Sequence, residues 1–183
     1  MTMRPFLSLR LLRRRATLLG LGIAFLSPLT RRANAAEPPL LAVFDFLFVD
    51  TSPAPPSKEE IARARMLSNE LRARLAASGL YRLADPTVLR AKMADQADIL
   101  HCNGCERDAA QAVGATLACY GWVQKVSNLI LNINLVIEDA KTGKIVRSGS
   151  VDIRGNSDEM WRRGLRFLLE DRILDGSPTG SQH

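Results

Sequence analysis

The sequence predicts an α/β fold, an α+β-like two-layer sandwich in which a mixed sheet of about five strands carries helices mainly on one face. Three observations point there. Leu40 to Val49 is a near-continuous apolar run, a capping sequence at Ser57 opens an apolar stripe at helical spacing, and residues 129 to 137 alternate with a period of two. Taken in order, the first run holds three Phe and one Asp between prolines at both ends, as a buried strand does. Ser57-Lys58-Glu59-Glu60 is a capping box, so a helix starts there. Ile61, Ala64, Leu67, Leu71 and Leu75 give it an apolar side, and Gly79 closes it after Ser78.

Leu80 to Ala84 reads as a short strand, and Asp85-Pro86 restarts a helix with Val88, Leu89 and Met93 on its apolar side. After a loop holding Cys102 and Cys105, Glu106 to Val113 forms a short helix ending at Gly114, and Ala115 to Val126 is a strand. Leu129, Leu131, Ile133, Leu135 and Ile137 then fall on one face, with Asn132, Asn134 and Glu138 on the other. A turn at Asp139 to Lys144 pairs that strand with Ile145 to Ile153 in a hairpin. Asn156 and Glu159 read as a second capping box for a last helix striped by Trp161, Leu165, Leu168, Leu169 and Ile173.

The amino terminus reads as an export signal. Five arginines from Arg4 to Arg15 precede an uncharged apolar run, Ala16 to Leu29, that is short for a bilayer span, and Ala33-Asn34-Ala35 supplies a cleavage site. Arg13-Arg14-Arg15 resembles a twin-arginine signal, and Arg31 and Arg32 beside the cleavage site disfavour the general secretory route. The expected organisation is a cleaved signal over 1–36, one α/β domain over 37–175 and a disordered tail over 176–183, in the periplasm, with no stable membrane anchor after cleavage. Residues 1–36 hold seven of the 25 basic residues and no acid, which leaves 18 basic against 19 acidic side chains. That balance removes the argument for nucleic-acid binding that a pI near 9.7 invites.

Cys102 and Cys105 are close enough to bridge or to share a metal, and Cys119 is the odd one out. In an oxidising compartment a disulfide is the expected state, with thiol-redox chemistry as the alternative. His101, Cys102, Cys105 and Cys119 together offer four soft metal ligands, although Cys119 also fits as a small buried strand residue. No cofactor is indicated. Lys141-Thr142-Gly143 lacks the Ser-x-x-Lys that would make it part of a penicillin-binding site, and neither His101 nor His183 has an evident nucleophile. The sequence therefore gives no catalytic constellation.

The layout is similar to the small domains at the amino end of the Tol-system propeller protein, in curli-secretion lipoproteins and in lipoprotein activators of peptidoglycan synthases. The shared pieces are the opening apolar strand, Ser78-Gly79-Leu80-Tyr81-Arg82-Leu83, and Val113-Gly114-Ala115 leading into a strand. Over roughly residues 100 to 172, Cys102-Asn103-Gly104-Cys105-Glu106, Gln124 to Leu129 and Val151 to Asp158 resemble the signature stretches of a family of uncharacterised exported proteobacterial proteins. That resemblance implies export and fold, and carries over no catalytic residue.

Tyr120, Trp122, Gln124, Asn132 and Asn134 should project together from the sheet face opposite the core, where aromatics among amides suit binding, or else Trp122 packs under a loop or the last helix. Arg154, with the amides that open the last helix, is a candidate anion site, or pairs with Asp152 or Asp158. The expected function is a non-enzymatic periplasmic binding or accessory module acting on a protein partner. The alternative is a thiol-redox or metal-binding protein built on the CxxC loop, for which the family resemblance implies an accessory place beside a periplasmic quinoprotein oxidation system.

Overall fold

A computed structural model describes residues 37–52, 55–95 and 98–175. The expected export signal and carboxy-terminal tail lie outside these residues. The strands are β1 (Leu40–Val43), β2 (Leu47–Asp50), β3 (Arg82–Leu83), β4 (Leu117–Ser127), β5 (Ile130–Asp139) and β6 (Ile145–Ile153). The helices are α1 (Lys58–Ala77), α2 (Pro86–Lys92), α3 (Cys105–Ala112) and α4 (Asp158–Leu168), and α4 runs into a π-helical turn, Leu169–Ile173. The sheet is mixed, in the order β3-β1-β4-β5-β6, with β1 and β2 both parallel to β4 and the β4-β5-β6 meander antiparallel.

The sheet has six strands rather than about five because the first apolar run is broken. Val43 lies opposite Cys119 and Leu47 opposite Trp122, so Phe44, Asp45 and Phe46 face only Tyr120 and Gly121. One extra residue inverts the alternation: Leu41 and Val43 pack on one face of the sheet, and so do Phe46 and Phe48. The interrupted ladder leaves backbone groups that must find partners. Helix α1 supplies them: Ser68 Oγ accepts from the Phe46 amide at 2.9 Å, and Arg72 Nη2 donates to the Val43 carbonyl at 3.1 Å. Asp45, the extruded residue, holds Arg72 and Arg90. Burial pushes its carboxyl up, but hydrogen bonds from Arg90 and Arg72 outweigh this and hold it below the usual range.

The larger core lies between one sheet face and helices α1 and α4, with Leu67, Leu71, Leu75, Ile133, Leu135, Ile137, Trp161 and Leu165 fully buried. Gly164 lets α4 approach closely, since a Cβ there would lie 2.6 Å from Ile153 Cγ2. Both helices expected to cap on side chains do so. At α1 the box is complete, with Ser57 Oγ accepting from the Glu60 amide and Glu60 Oε2 accepting from the Ser57 amide. At α4 the cap is Ser157 rather than Asn156. Asn156 is instead drawn into a tertiary network, donating to Glu60 Oε1 and accepting from Trp161 Nε1 and Arg63. The same Glu60 oxygen lies 2.7 Å from Lys125 Nζ, which also meets Asp50. One glutamate thus joins α1, β4 and the start of α4.

A second, smaller core lies on the other sheet face, where α2, α3 and the loop between them bring Leu89, Ala109, Ala110 and the loop's Ile99 onto Ala42, Phe44 and Ala118. These short helices lie over β1, Leu47 at the start of β2 and the first half of β4. Beyond them the face carried by the rest of β4, β5 and β6 has no described helix over it.

The Ser68 hydroxyl is buried and satisfies an amide that has no other partner among the described residues, so Ser68→Ala should cost about 1–3 kcal/mol. Equilibrium urea unfolding measures this directly, and a loss below about 0.5 kcal/mol would mean that the bulge does not depend on α1.

Candidate functional site

Where α3 stops covering the sheet, a concavity of about 400 Å³ opens between the CxxC loop, the first turn of α3 and the β5–β6 turn. Its walls include Tyr120 and Trp122 from β4, and Glu138 from β5 shares its floor with Glu106 and Arg107 from α3. Tyr120, Trp122 and Glu138 belong to the even-numbered face of the meander, and cross-strand register sets Trp122 opposite Asn134 and Gln124 opposite Asn132. All five residues expected on the open face are therefore brought together there, each half-buried. Asn132 Nδ2 donates to Ser150 Oγ at 2.9 Å and to Asp152 Oδ1 at 2.8 Å, and Asn134 donates to Asn132 Oδ1. The amides form a ladder that runs from Trp122 towards β6.

The CxxC loop makes the rim. Cys102 and Cys105 are bridged, with Cα atoms 5.6 Å apart. Between them Asn103 and Gly104 both take positive φ, 56° and 112°, a turn that glycine makes without strain. The Cys105 amide points at Cys102 Sγ, 3.2 Å away, and Cys102 Sγ lies 3.5 Å from Glu106 Oε2. The loop so held delivers Glu106 into the first turn of α3. Arg107 spans the two glycine turns at the rim, and a Cβ at either Gly104 or Gly143 would collide with its guanidinium.

The chemically unusual feature is the pair Glu106 and Glu138, at 7% and 6% exposure. Burial first, and then the hydrogen bond and charge of Glu106, push the Glu138 carboxyl up to about 7, against a smaller opposing effect of Arg107. A buried carboxyl beside a second one disfavours its charged form, so Glu138 keeps its proton well above the usual carboxylate range, to about 7. Burial and the same two acids push the Tyr120 hydroxyl up to about 12. The alternation of residues 131 to 137 puts Glu138 on the open face, but no spacing pairs it with Glu106, 32 positions away; only the parallel return of β4 beside β1, with α3 laid over it, brings both to one cavity.

The four soft ligands do not converge. Cys119 packs in the core under α1 and α4, on the opposite face from the loop, and burial pushes its thiol up to about 12. His101 is exposed and pairs with Asp98 at 2.6 Å. The donor atoms that do cluster are Cys102 Sγ, Cys105 Sγ and a Glu106 oxygen, all within 4.8 Å of one another. With the bridge formed, neither sulfur is a thiolate, the form that binds metals. Arg154 is exposed and makes no ion pair among the described residues, because Asp158 is taken by Arg63 at 2.8 Å and Asp152 by Asn132.

A raised carboxyl pKa has a definite thermodynamic sign. The unfolded chain releases the Glu138 proton near pH 4.5 while the folded state keeps it to about 7, so the folded state binds more protons across that window and stability falls as pH rises through it. Glu138→Gln should remove that fall, on the order of 1–2 kcal/mol between pH 5 and pH 8. Chemical denaturation at the two pH values checks it, and an unchanged slope in the variant would refute the raised Glu138 carboxyl.

Comparison with solved structures gives similarity at low identity. The chain is similar to the LpoB C-terminal domain from Salmonella enterica, with 18% identity, a TM-score of 0.49 and coverage of 67% of this chain and 87% of that one. It is also similar to lipoprotein GNA1162 from Neisseria meningitidis, with 18% identity, a TM-score of 0.49 and coverage of 66% and 84%. A third similarity is to TolB from Acinetobacter baumannii, with 11% identity, a TM-score of 0.43 and coverage of 77% of this chain and 29% of that one. No curated protein matches the sequence. A family profile matches residues 39–173, essentially the whole described domain, and the chain belongs to that family, DUF3280, described as "Protein of unknown function (DUF2380)".

Proposed function

We propose that this chain is exported through a cleaved signal at residues 1–36, and that residues 37–175 serve in the periplasm as a non-enzymatic accessory module that binds a partner protein through the open sheet face. One observation carries the reading: Trp122 and the Gln124, Asn132 and Asn134 amides form one face with no described helix over it, while the other face of the same strands is fully packed. A tryptophan anchor within a hydrogen-bonding surround is the composition of a protein interface centre and its rim. The bridged CxxC loop supports a structural role at the rim, holding Glu106 and α3 in place, and ranks the redox and metal alternatives second.

The test is affinity capture from a periplasmic extract with the domain of residues 37–183 as bait. Trp122→Ala and Asn134→Ala should each reduce recovery of the specific partner at least tenfold, about 1.4 kcal/mol or more, while leaving the melting temperature within a few degrees. Full recovery with Trp122→Ala would refute the sheet face as the binding surface.

A further inference from the structure

One acid of the concavity, Glu138, makes no ion pair among the described residues. Arg107 lies 3.4 Å from Glu106 and spans the rim, yet Glu138 Oε1 is buried and has no hydrogen-bond donor among the described residues. Glu138 is 94% buried and lines the cavity together with a second acid, Glu106. A bare ion is far smaller than a space of about 400 Å³, and the ring walls of Tyr120 and Trp122 suit an alkyl stem behind a charged head. An anion would meet two buried carboxyls. A guanidinium would bring a broad planar fork beside Arg107, which already occupies the rim.

We propose that this cavity is the seat of a primary ammonium group, and that the group is a lysine side chain offered by the partner that binds the sheet face. The inference rests on the sheet-face reading and adds to it the chemistry of the contact residue. The ammonium donates to Glu106 and to the unpartnered Glu138 Oε1, and a proton carried by Glu138 leaves to solvent as the lysine enters. The stem lies along Trp122, so the anchor at the centre of the face and the buried acids are two ends of one site.

The probe is N-acetyl-lysine N-methylamide, titrated into the isotopically labelled domain and followed by NMR. Its Nζ-acetylated form and N-acetyl-arginine N-methylamide serve as controls. The expected result is saturable shifts confined to residues 103–107, Tyr120, Trp122 and Glu138, with the acetylated and arginine compounds at least tenfold weaker. Glu138→Gln and Glu106→Gln should each weaken the lysine compound at least tenfold while keeping the rest of the spectrum. No saturation at 100 mM, on the order of the weakest single-group contact, or equal binding by the acetylated form or by Glu138→Gln, would overturn the proposal. Partner capture separates the two ideas: loss of the partner with Trp122→Ala but not with Glu138→Gln defeats the lysine seat alone, and retention with both defeats the sheet-face reading as well.

Discussion

The extra residue at Asp45 is the constraint on which the rest of the molecule depends. An uninterrupted strand from Leu40 to Asp50 would put the side chains of its second half on the wrong faces, because alternation along a strand leaves no freedom once register is fixed. By letting three residues face two, the bulge turns Phe46 and Phe48 towards α1 and α4, where Phe48 meets Trp161 with ring centroids 5.7 Å apart. It also explains Gly121, since a Cβ there would lie 2.6 Å from the Phe46 ring. The backbone groups freed by the bulge are satisfied by Ser68 and Arg72, one turn apart on α1, so the helix is registered to the strand by hydrogen bonds as well as by packing.

That registration decides where the molecule is covered. Asp45 ties Arg90 of α2 to Arg72 of α1 around the strand, and α2 and α3 thereby settle over β1 and the beginning of β4. The meander extends past them. The sheet therefore has one face buried along its length and the other divided, apolar where the short helices lie and polar beyond, with the concavity at the boundary. Buried carboxyls are costly without partners, and a site that keeps two of them in contact at such a boundary is suited to receiving a cation.

Much of the scaffold was legible in the sequence because it rests on local signals. The Ser57 box, the Gly79 stop, the Asp85-Pro86 start and the strict alternation of residues 131 to 137 each map onto the element they predict. The face shared by Trp122, Gln124, Asn132 and Asn134 was legible for the same reason, since a period of two and a hairpin fix it. The features that were not legible depend on tertiary partners. A ten-residue apolar run carries no mark of a bulge whose amide is capped by a serine 22 positions on. Asn156 looked like a helix cap because the cue is local, whereas Glu60 and Trp161 claim its side chain from elsewhere. Leu129, in phase with the strand, lies in the turn and is exposed. The Glu106–Glu138 pair depends on where α3 is laid, which no spacing encodes.

The central claim is that the face of β4 to β6 opposite the core is where this protein meets its partner. It is tested most directly inside the cell, by placing the photo-crosslinking residue p-benzoylphenylalanine at Asn134 on that face and, separately, at Arg166 on the exposed side of α4. A discrete adduct from position 134 that is absent from position 166 is the predicted result. Adducts from position 166 alone, or none from position 134, would contradict the account.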